Sequence, residues 1–383
     1  MRIHVTAIIG AILLTAVAAQ SSTISQRYHR AAEVNAACFF HQPDGTTYVS
    51  TGDIDAMWLR DSSVQAMALN SSRDRALVRG VIVRQERMIR SDPYANAFRA
   101  NYVVAERKFE LDSLSYPVKL AERYVDQTGD TSIYDAGYWN ELRRILATLS
   151  DEQSHADRST YHRNEHPAAS GTGLIWSAYR PSDDPVAFNY NIPENAFAAV
   201  TLREMATIFS QHYGDQADAH QALTMAQRIE SAISRLAILP TARGHIYAYE
   251  IDGLGHAKFM DDANMPSLLS LPLLGFAYDQ RAYNNTRRFI LSSANPYYYR
   301  GRYASGVGSP HTPVNFVWPM SLVVQYRTAA SNPERGRILR ELADSEAGDG
   351  ALHESFDVND PRRFTRERFG WVNALFEQTF TQQ

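Results

Sequence analysis

Residues 223–236 read LTMAQRIESAISRL, and this stretch shows most clearly the repeat that decides the fold. Its apolar side chains recur every three or four residues, at Leu223, Ala226, Ile229, Ile233 and Leu236. That spacing places them along one side of a helix, which predicts an amphipathic α-helix packed against a core. Residues 142–149 share the spacing, and we predict further helices over 196–213 and over 116–126, the second stopping near Gly129.

Strand signals are few. The best is 245–251 (HIYAYEI), which ends at the turn dipeptide Asp252-Gly253, and we predict a long polar loop over 150–172. Between the helices lie segments dense in aromatic residues and carboxylates: 45–61, 171–193, 252–272, 295–319 and 349–371. This alternation predicts an all-α helical toroid whose connecting loops build one face.

The composition excludes several classes of protein. Lys and Arg number 38 against 42 Asp and Glu, a net charge of −4, so the chain lacks the basic excess typical of nucleic-acid binding. Aromatic residues make up 11%, which argues against a disordered chain. The single cysteine, Cys38, excludes an intrachain disulfide framework and a cysteine-built zinc site. Its apolar neighbours predict a buried, inert thiol.

The first residues, 1–19 (MRIHVTAIIGAILLTAVAA), have the pattern of a signal peptide. Arg2 precedes an apolar run that is too short to span a membrane, and Ala16-Val17-Ala18 is an A-x-A cleavage pattern. We therefore predict a secreted or exported protein without stable membrane insertion. We expect the remainder, 20–383, to be a single domain and a monomer.

The first segment with residues suited to catalysis or binding is TGDIDAMWLRDSSVQ, residues 51–65. An aromatic ring stacks well on the apolar face of a sugar, and carboxylates accept hydrogen bonds from its hydroxyls. The segment supplies both, and we take as candidate sugar-binding residues Asp53, Asp55, Trp58, Arg60 and Asp61. A helix N-terminus with Asp caps explains the same residues equally well.

Two other segments offer carboxylates for acid–base work. In IWSAYRPSDD (175–184), Asp183 and Asp184 are adjacent and close to Arg180. We expect the two carboxylates to raise each other's pKa, and an apolar wall to raise it further, as a general acid requires. A capped turn is the alternative interpretation of these residues. In the third segment, 350–376, Glu354 lies among apolar and aromatic residues, which favours a partly buried base.

Supporting candidates are Asp112 in RKFELDSLSYP, Asn264 in FMDDANMPSLLSLP and His311 in GVGSPHTPVNFVWP. The vicinal acids beside Asn264 lack the ladder of a calcium loop, and the chain has no H-E-x-x-H zinc motif. A nucleophile elbow, a P-loop and a dinucleotide fingerprint are also missing from the sequence. Carboxylate chemistry on a sugar, with no metal or cofactor, is the enzymatic interpretation that fits best.

At these residues the sequence resembles glycoside hydrolase family 125, the inverting exo-α-1,6-mannosidases. The resemblance runs in order through nine segments, so it covers essentially the whole chain after the signal. These are 51–62 (TGDIDAMWLRDS), 91–98 (SDPYANAF), 107–117 (RKFELDSLSYP), 175–184 (IWSAYRPSDD), 260–275 (MDDANMPSLLSLPLLG), 295–301 (NPYYYRG), 308–313 (GSPHTP), 353–356 (HESF) and 369–376 (FGWVNALF).

The resemblance implies an (α/α)6 barrel and a mannose-containing oligosaccharide or N-glycan as substrate. It implies a general acid at Asp183 or Asp184 and a general base at Glu354, with the carboxyl groups roughly 6.5–9.5 Å apart to hold a water. It further implies that the terminal mannose is positioned by Arg60, Asp61, Asp112 and His311, and that no metal is needed.

Two alternatives remain at this stage. One keeps the barrel and changes the sugar, as in a glucoamylase-like exo-glycosidase. The other is a non-catalytic glycan-binding protein, which should have lost a catalytic carboxylate, whereas this sequence retains both candidate positions.

Overall fold

The computed structural model describes residues 23–380, so the predicted signal peptide lies outside the described part. The helices are α1 (23–36), α2 (Leu59–Ala68), α3 (Arg75–Ser91), α4 (Asp112–Thr128), α5 (Ala136–Gln153), α6 (His155–Arg158), α7 (Ile192–Ile208), α8 (Gln216–Ala232), α9 (Gln280–Ile290), α10 (Pro319–Arg327), α11 (Asn332–Asp344) and α12 (Gly370–Phe380). The strands are β1 (Phe39–His41), β2 (Thr47–Val49), β3 (Met57–Trp58), β4 (Ala97–Phe98), β5 (Val104–Glu106), β6 (Tyr190–Asn191), β7 (Ile238–Thr241), β8 (Gly244–Tyr247), β9 (Glu250–Ile251), β10 (Ala257–Lys258), β11 (Tyr298–Arg300), β12 (Ser305–Val307), β13 (Phe316–Val317), β14 (Ser355–Asp357) and β15 (Asp360–Thr365).

Two concentric rings of helices form the body of the fold. In the inner ring, α2 packs against α4 and α12, α4 packs against α7, and α12 packs against α10. Inner helices are buried on nearly every side, as in α2, where only Ala68 escapes full burial. Outer helices bury a stripe and expose the rest, as in α8, because only one side faces the inner ring. The outer ring consists of α1, α3, α5, α8, α9 and α11.

The fourth position of the inner ring is irregular. The chain between β10 and α9 forms only a short 3₁₀ turn, Leu271–Leu273. Proline removes a helical N–H donor and clashes with the preceding turn, so Pro266 and Pro272 prevent a regular helix here. The segment still completes the ring, because with α4, α7, α10 and α12 it lines an axial cavity of about 300 Å³.

The short strands around this barrel pair antiparallel, in sheets of two or three strands. Three of these sheets supply the strands β3, β6 and β13, which lead into the inner helices α2, α7 and α10. The strands therefore stiffen the loops at one end of the barrel, and the predicted all-α (α/α)6 fold with loops on one face is confirmed.

The predicted elements are found with two differences. The proposed strand 245–251 is two strands, β8 and β9, which pair with different partners, although the Asp252-Gly253 turn does follow β9. The proposed loop 150–172 begins inside α5 and contains the short helix α6. Cys38 is buried as predicted, and burial raises the pKa of its thiol to about 11. Within residues 23–380, no helix has both the length and the apolar character needed to cross a membrane.

Candidate active site

A cavity of about 160 Å³ opens where the inner helices begin. Its walls come from all five of the aromatic, acidic segments identified in the sequence, because each of these segments precedes or enters the inner ring. Closing the ring therefore brings together residues that are far apart along the chain. The lining residues are Thr51, Ile54, Trp58, Arg60, Asp61, Pro181, Ser182, Asp183, Asn264, His311, Trp318, Glu354, Arg366, Phe369 and Trp371.

Glu354 is one of the three acids that line this cavity, together with Asp61 and Asp183. It precedes β14, and its backbone N–H donates to the Thr365 carbonyl at 3.2 Å, which fixes the chain where the side chain enters the cavity. Only 6% of the residue is exposed. Burial raises the pKa of the Glu354 carboxyl, although Arg366 and His311 oppose that rise. A partly buried, proton-accepting carboxylate is what the sequence predicts at this position.

Asp183 is another acid on the cavity wall. It has a φ of 65°, in the left-handed region that Asp and Asn tolerate better than most residues. This conformation makes a tight turn, closed by the Asp183 N–H donating to the Arg180 carbonyl at 2.9 Å. Asn96 donates its side-chain N–H to Asp183 Oδ1 at 3.2 Å. The turn therefore points Asp183 into the cavity and moves its neighbour Asp184 off the wall.

Arg60 lies at the centre of a buried group of carboxylates. Its guanidinium is 2.9 Å from Glu110, 3.2 Å from Asp61, 3.4 Å from Asp112 and 3.9 Å from Asp183. The same guanidinium stacks on the Trp371 ring, 4.4 Å from its centroid. One cation cannot neutralise three buried carboxylates, and burial accordingly raises the pKa of Glu110, Asp61 and Asp112.

The titration of this group corrects the sequence-based expectation for the adjacent aspartates. The pKa of Asp183 is lowered, because although burial favours its neutral form, a hydrogen bond from Glu110 and the charges of Arg60, Lys108 and His311 outweigh burial. Glu110 behaves oppositely: burial and the charge of Asp183 raise its pKa well above the usual range. Glu110 is therefore the member of this carboxyl pair that binds a proton more tightly, and the expected mutual rise at Asp183 and Asp184 is wrong for Asp183.

Asp184 lies beside the cavity and holds His311. The His311 Nδ1 is 3.3 Å from Asp184 Oδ1, and this hydrogen bond raises the pKa of the imidazole. Ser182 donates its hydroxyl to the other oxygen of Asp184 at 3.0 Å. His311 lines the cavity while Asp184 does not, so the structure connects Asp184 to the site through the histidine.

Other predicted residues support the cavity from outside. Asp112 is fully buried behind Arg60 in the first turn of α4. Arg180 donates to Glu250 at 2.5 Å and anchors the turn that carries Asp183. Asp55 is exposed and accepts a hydrogen bond from the Tyr48 hydroxyl at 3.0 Å, so the structure does not bring it into the cavity.

Arg366 is a lining residue that our sequence reasoning missed. Its Nε donates to Asp53 at 2.8 Å and its Nη2 donates to Thr51 at 2.5 Å. Asp53 therefore reaches the site only through Arg366. Nothing local marks this arginine among the exposed arginines of the RRFTRERF stretch, since its partners lie at the other end of the chain.

Aromatic side chains form the rest of the wall. Trp318 packs edge-on against Phe369 at 5.9 Å, and Phe369 packs against Trp371 at 6.1 Å. Trp58 completes this surface, and Asn264 is held by a 2.9 Å hydrogen bond from its side-chain N–H to Asp262. Apolar ring faces next to fixed polar groups are typical of a sugar-binding pocket.

Known proteins resemble this chain in sequence and in fold. A curated relative, the meiotically up-regulated gene 157 protein of Schizosaccharomyces pombe, is 38% identical, over 88% of this chain and 76% of its own length. A solved α-mannosidase of Streptococcus pneumoniae, in a non-productive complex with α-1,6-mannobiose, is 35% identical. It superposes with a TM-score of 0.88 and covers 97% of both chains.

More distant structures share the fold alone. The glucoamylase of Saccharomycopsis fibuligera superposes with a TM-score of 0.66 at 11% identity, covering 94% of both chains. A bacterial glucoamylase bound to acarbose superposes with a TM-score of 0.65 at 13% identity, over 92% of this chain and 55% of its own. The family model of the metal-independent α-mannosidases, glycoside hydrolase family 125, matches residues 18–381. The chain therefore belongs to the metal-independent α-mannosidases of glycoside hydrolase family 125.

Proposed function

We propose that this protein is an inverting, exo-acting α-1,6-mannosidase that removes terminal mannose from oligosaccharides or N-glycans. The observation that carries the proposal is the small cavity with three carboxyl groups on its wall, Asp61, Asp183 and Glu354, of which Asp61 is paired with Arg60 at 3.2 Å. Its volume of about 160 Å³ is below the usual range for larger ligands, which suits a single terminal sugar ring. The mannobiose complex of the similar Streptococcus pneumoniae enzyme supports the α-1,6 linkage.

In this proposal Glu354 is the general base. Its buried carboxylate takes a proton from a water, and the water attacks the anomeric carbon from the face opposite the leaving group. Asp183 is the general acid, because it lines the cavity and Asp184 does not. The bond from the anomeric carbon to the glycosidic oxygen breaks as that oxygen receives a proton from Asp183.

The proton that Asp183 delivers is stored on its partner in this proposal. Glu110 is fully buried, its pKa is raised, and it shares a hydrogen bond with Asp183. Protonated Glu110 can pass its proton to Asp183 as charge develops on the leaving oxygen. Arg60 holds both carboxyl groups in place, so that the transfer needs no movement of the chain.

Product analysis tests the activity and its stereochemistry together. We expect hydrolysis of α-1,6-mannobiose with β-mannose as the first product seen by proton NMR, because attack from the opposite face inverts the anomeric centre. Isomaltose, the matched α-1,6-linked glucose disaccharide, is the control and should be cleaved at least about a hundredfold more slowly. Initial release of α-mannose contradicts inversion, and preferential cleavage of isomaltose contradicts the mannosidase assignment.

The pH profile tests Glu354 through its neighbour Arg366. Glu354 must be ionised to act as a base, and the positive charge of Arg366 lowers its pKa, against burial and the nearby charge of Asp53. Arg366→Gln removes that charge and leaves Asp53 unpaired, so the acidic limb of kcat/KM should move to higher pH by about one unit. Arg368→Gln, at a neighbouring exposed arginine, is the control. An acidic limb that stays in place or moves to lower pH in Arg366→Gln contradicts the assignment.

Export remains a proposal, supported by the pattern of residues 1–19. An extracellular location suits an enzyme that trims glycans. N-terminal sequencing of the protein recovered from culture medium tests it. Chains beginning near Gln20 are expected, and full-length chains retained inside cells contradict it.

A further inference from the structure

Outside the active-site cavity, three side chains near the end of α5 converge on one point. His155, His162 and Glu165 place one ligand atom each within 4.8 Å of one another. Glu165 Oε1 is 3.1 Å from the Nε2 of His155 and 2.7 Å from the Nδ1 of His162. None of the three residues lines the cavity that contains Asp183 and Glu354.

The distances within this cluster suit a tetrahedral metal ion. Zinc binds imidazole nitrogen and carboxylate oxygen at about 2.0–2.2 Å, so two tetrahedral ligands lie roughly 3.3 Å apart. The contact of Glu165 with His155, at 3.1 Å, lies near that value, and the 2.7 Å contact with His162 would have to lengthen when the metal binds. Two imidazoles and one carboxylate also form a ligand set that binds zinc in preference to magnesium or calcium, because those two ions favour oxygen ligands alone. A water can occupy the fourth position.

His155 is held in one orientation by its neighbours. Its Nδ1 is 2.5 Å from Glu152, whose side chain is completely buried. The tryptophan ring of Trp176 stacks on the imidazole with centroids 3.8 Å apart and planes 10° from parallel. Glu152 is fixed in turn by the hydroxyls of Tyr94 and Ser159, at 2.8 and 2.5 Å.

This arrangement leaves a lone pair that needs a cation. A neutral imidazole has one N–H donor, and the contact to Glu152 takes it at Nδ1. The lone pair of Nε2 then faces the carboxylate of Glu165, and two acceptors in contact require a proton or a metal ion between them. A buried carboxylate that orients a histidine through its second nitrogen is the usual partner of a histidine bound to a metal.

We propose that His155, His162 and Glu165 form a zinc site that clamps the 159–166 segment to the first residue of α6. The segment matters for the active site, because it carries the buried Tyr161. The Tyr161 hydroxyl accepts from the Phe109 N–H at 3.3 Å and donates to the Arg107 carbonyl at 3.1 Å. Glu110 and Asp112 follow directly in the sequence. The clamp therefore stabilises the chain that leads into Glu110 and Asp112, and zinc takes no part in glycoside hydrolysis.

Calorimetric titration of the full chain with ZnCl₂ tests this site, after treatment with a chelator and desalting. One equivalent of zinc should bind near neutral pH, and MgCl₂ should give no binding. His162→Ala and Glu165→Gln should each weaken zinc binding by about tenfold or more, since even the outer partner of a metal ligand changes affinity by that much. Both residues are largely exposed, so these variants should fold. His220→Ala, at an exposed histidine on α8, is the matched control and should bind zinc normally.

Thermal unfolding gives a second readout that does not depend on activity. Zinc should raise the Tm of the native chain and of His220→Ala, but not that of His162→Ala, because a ligand that binds only the folded state stabilises it. Absence of a bound equivalent in the native chain overturns the proposal and leaves a proton between His155 and Glu165. Equal zinc binding by His162→Ala and the native chain also overturns it, because the zinc is then held elsewhere.

Discussion

Glu354→Gln is expected to lower kcat on α-1,6-mannobiose by about two to four orders of magnitude, the usual contribution of a positioned general base. The amide keeps the size of the side chain but cannot accept a proton from water. Glu354 is buried, with 6% of the residue exposed. Because the amide has the same size as the carboxylate, it should fill the same space and leave the fold and the sugar pocket intact. Calorimetry with mannobiose should therefore show binding close to that of the native enzyme.

Two further variants make this prediction specific. Glu367→Gln changes an exposed acid of the connection between β15 and α12 and should leave kcat unchanged. Glu354→Ala opens space for a small anion, so azide should restore turnover and yield β-mannosyl azide by attack from the face of the missing base. Normal turnover by Glu354→Gln contradicts the assignment, and so does rescue by azide that yields the α-configured azide.

Asp183→Asn is expected to show the second large effect, a loss of about two to four orders of magnitude in kcat on mannobiose. Asparagine tolerates the left-handed backbone conformation of this position, where φ is 65°, so the turn should survive. The loss should be much smaller on dinitrophenyl α-mannoside, whose leaving group departs without protonation. That dependence on the leaving group separates a general acid from a residue that only binds the sugar.

Asp184→Asn is the matched control for this assignment. Asp184 does not line the cavity, and it acts on the site through its contact with His311. Its loss should weaken activity on both substrates alike, and by less than the loss of Asp183. If Asp184→Asn instead shows the larger, leaving-group-dependent loss, the two aspartates have exchanged roles and our assignment is wrong.

Much of the architecture could be predicted from local patterns. Spacings of three and four residues in α5 and α8 are properties of a few neighbouring residues, and they specify a helix wherever the chain goes. The left-handed end of α4 at Gly129, with a φ of 66°, was equally predictable because glycine adopts that conformation without strain. The division of the predicted strand 245–251 has a non-local cause. Strands β8 and β9 pair with different partners, and no local pattern reveals those partners.

The candidate site was predictable only in part. The segments that meet at the cavity stood out by their aromatic residues and carboxylates, and the burial of Glu354 followed from its apolar neighbours. Arg366 could not be found this way, because its contact with Asp53 joins positions 313 residues apart in the chain. The pKa of Asp183 was predicted in the wrong direction for the same reason: Arg60 and Glu110 reach it only in the folded barrel.

The sequence by itself therefore determined the helical class, the family and the short segments that carry chemistry, since each of these is written in neighbouring residues. The tertiary structure alone decided which of the adjacent aspartates lines the cavity, the opposite pKa shifts of Asp183 and Glu110, and which arginine lies near Glu354. The physical reason is that orientation and charge balance depend on distances between segments. Those distances exist only once the inner ring has closed.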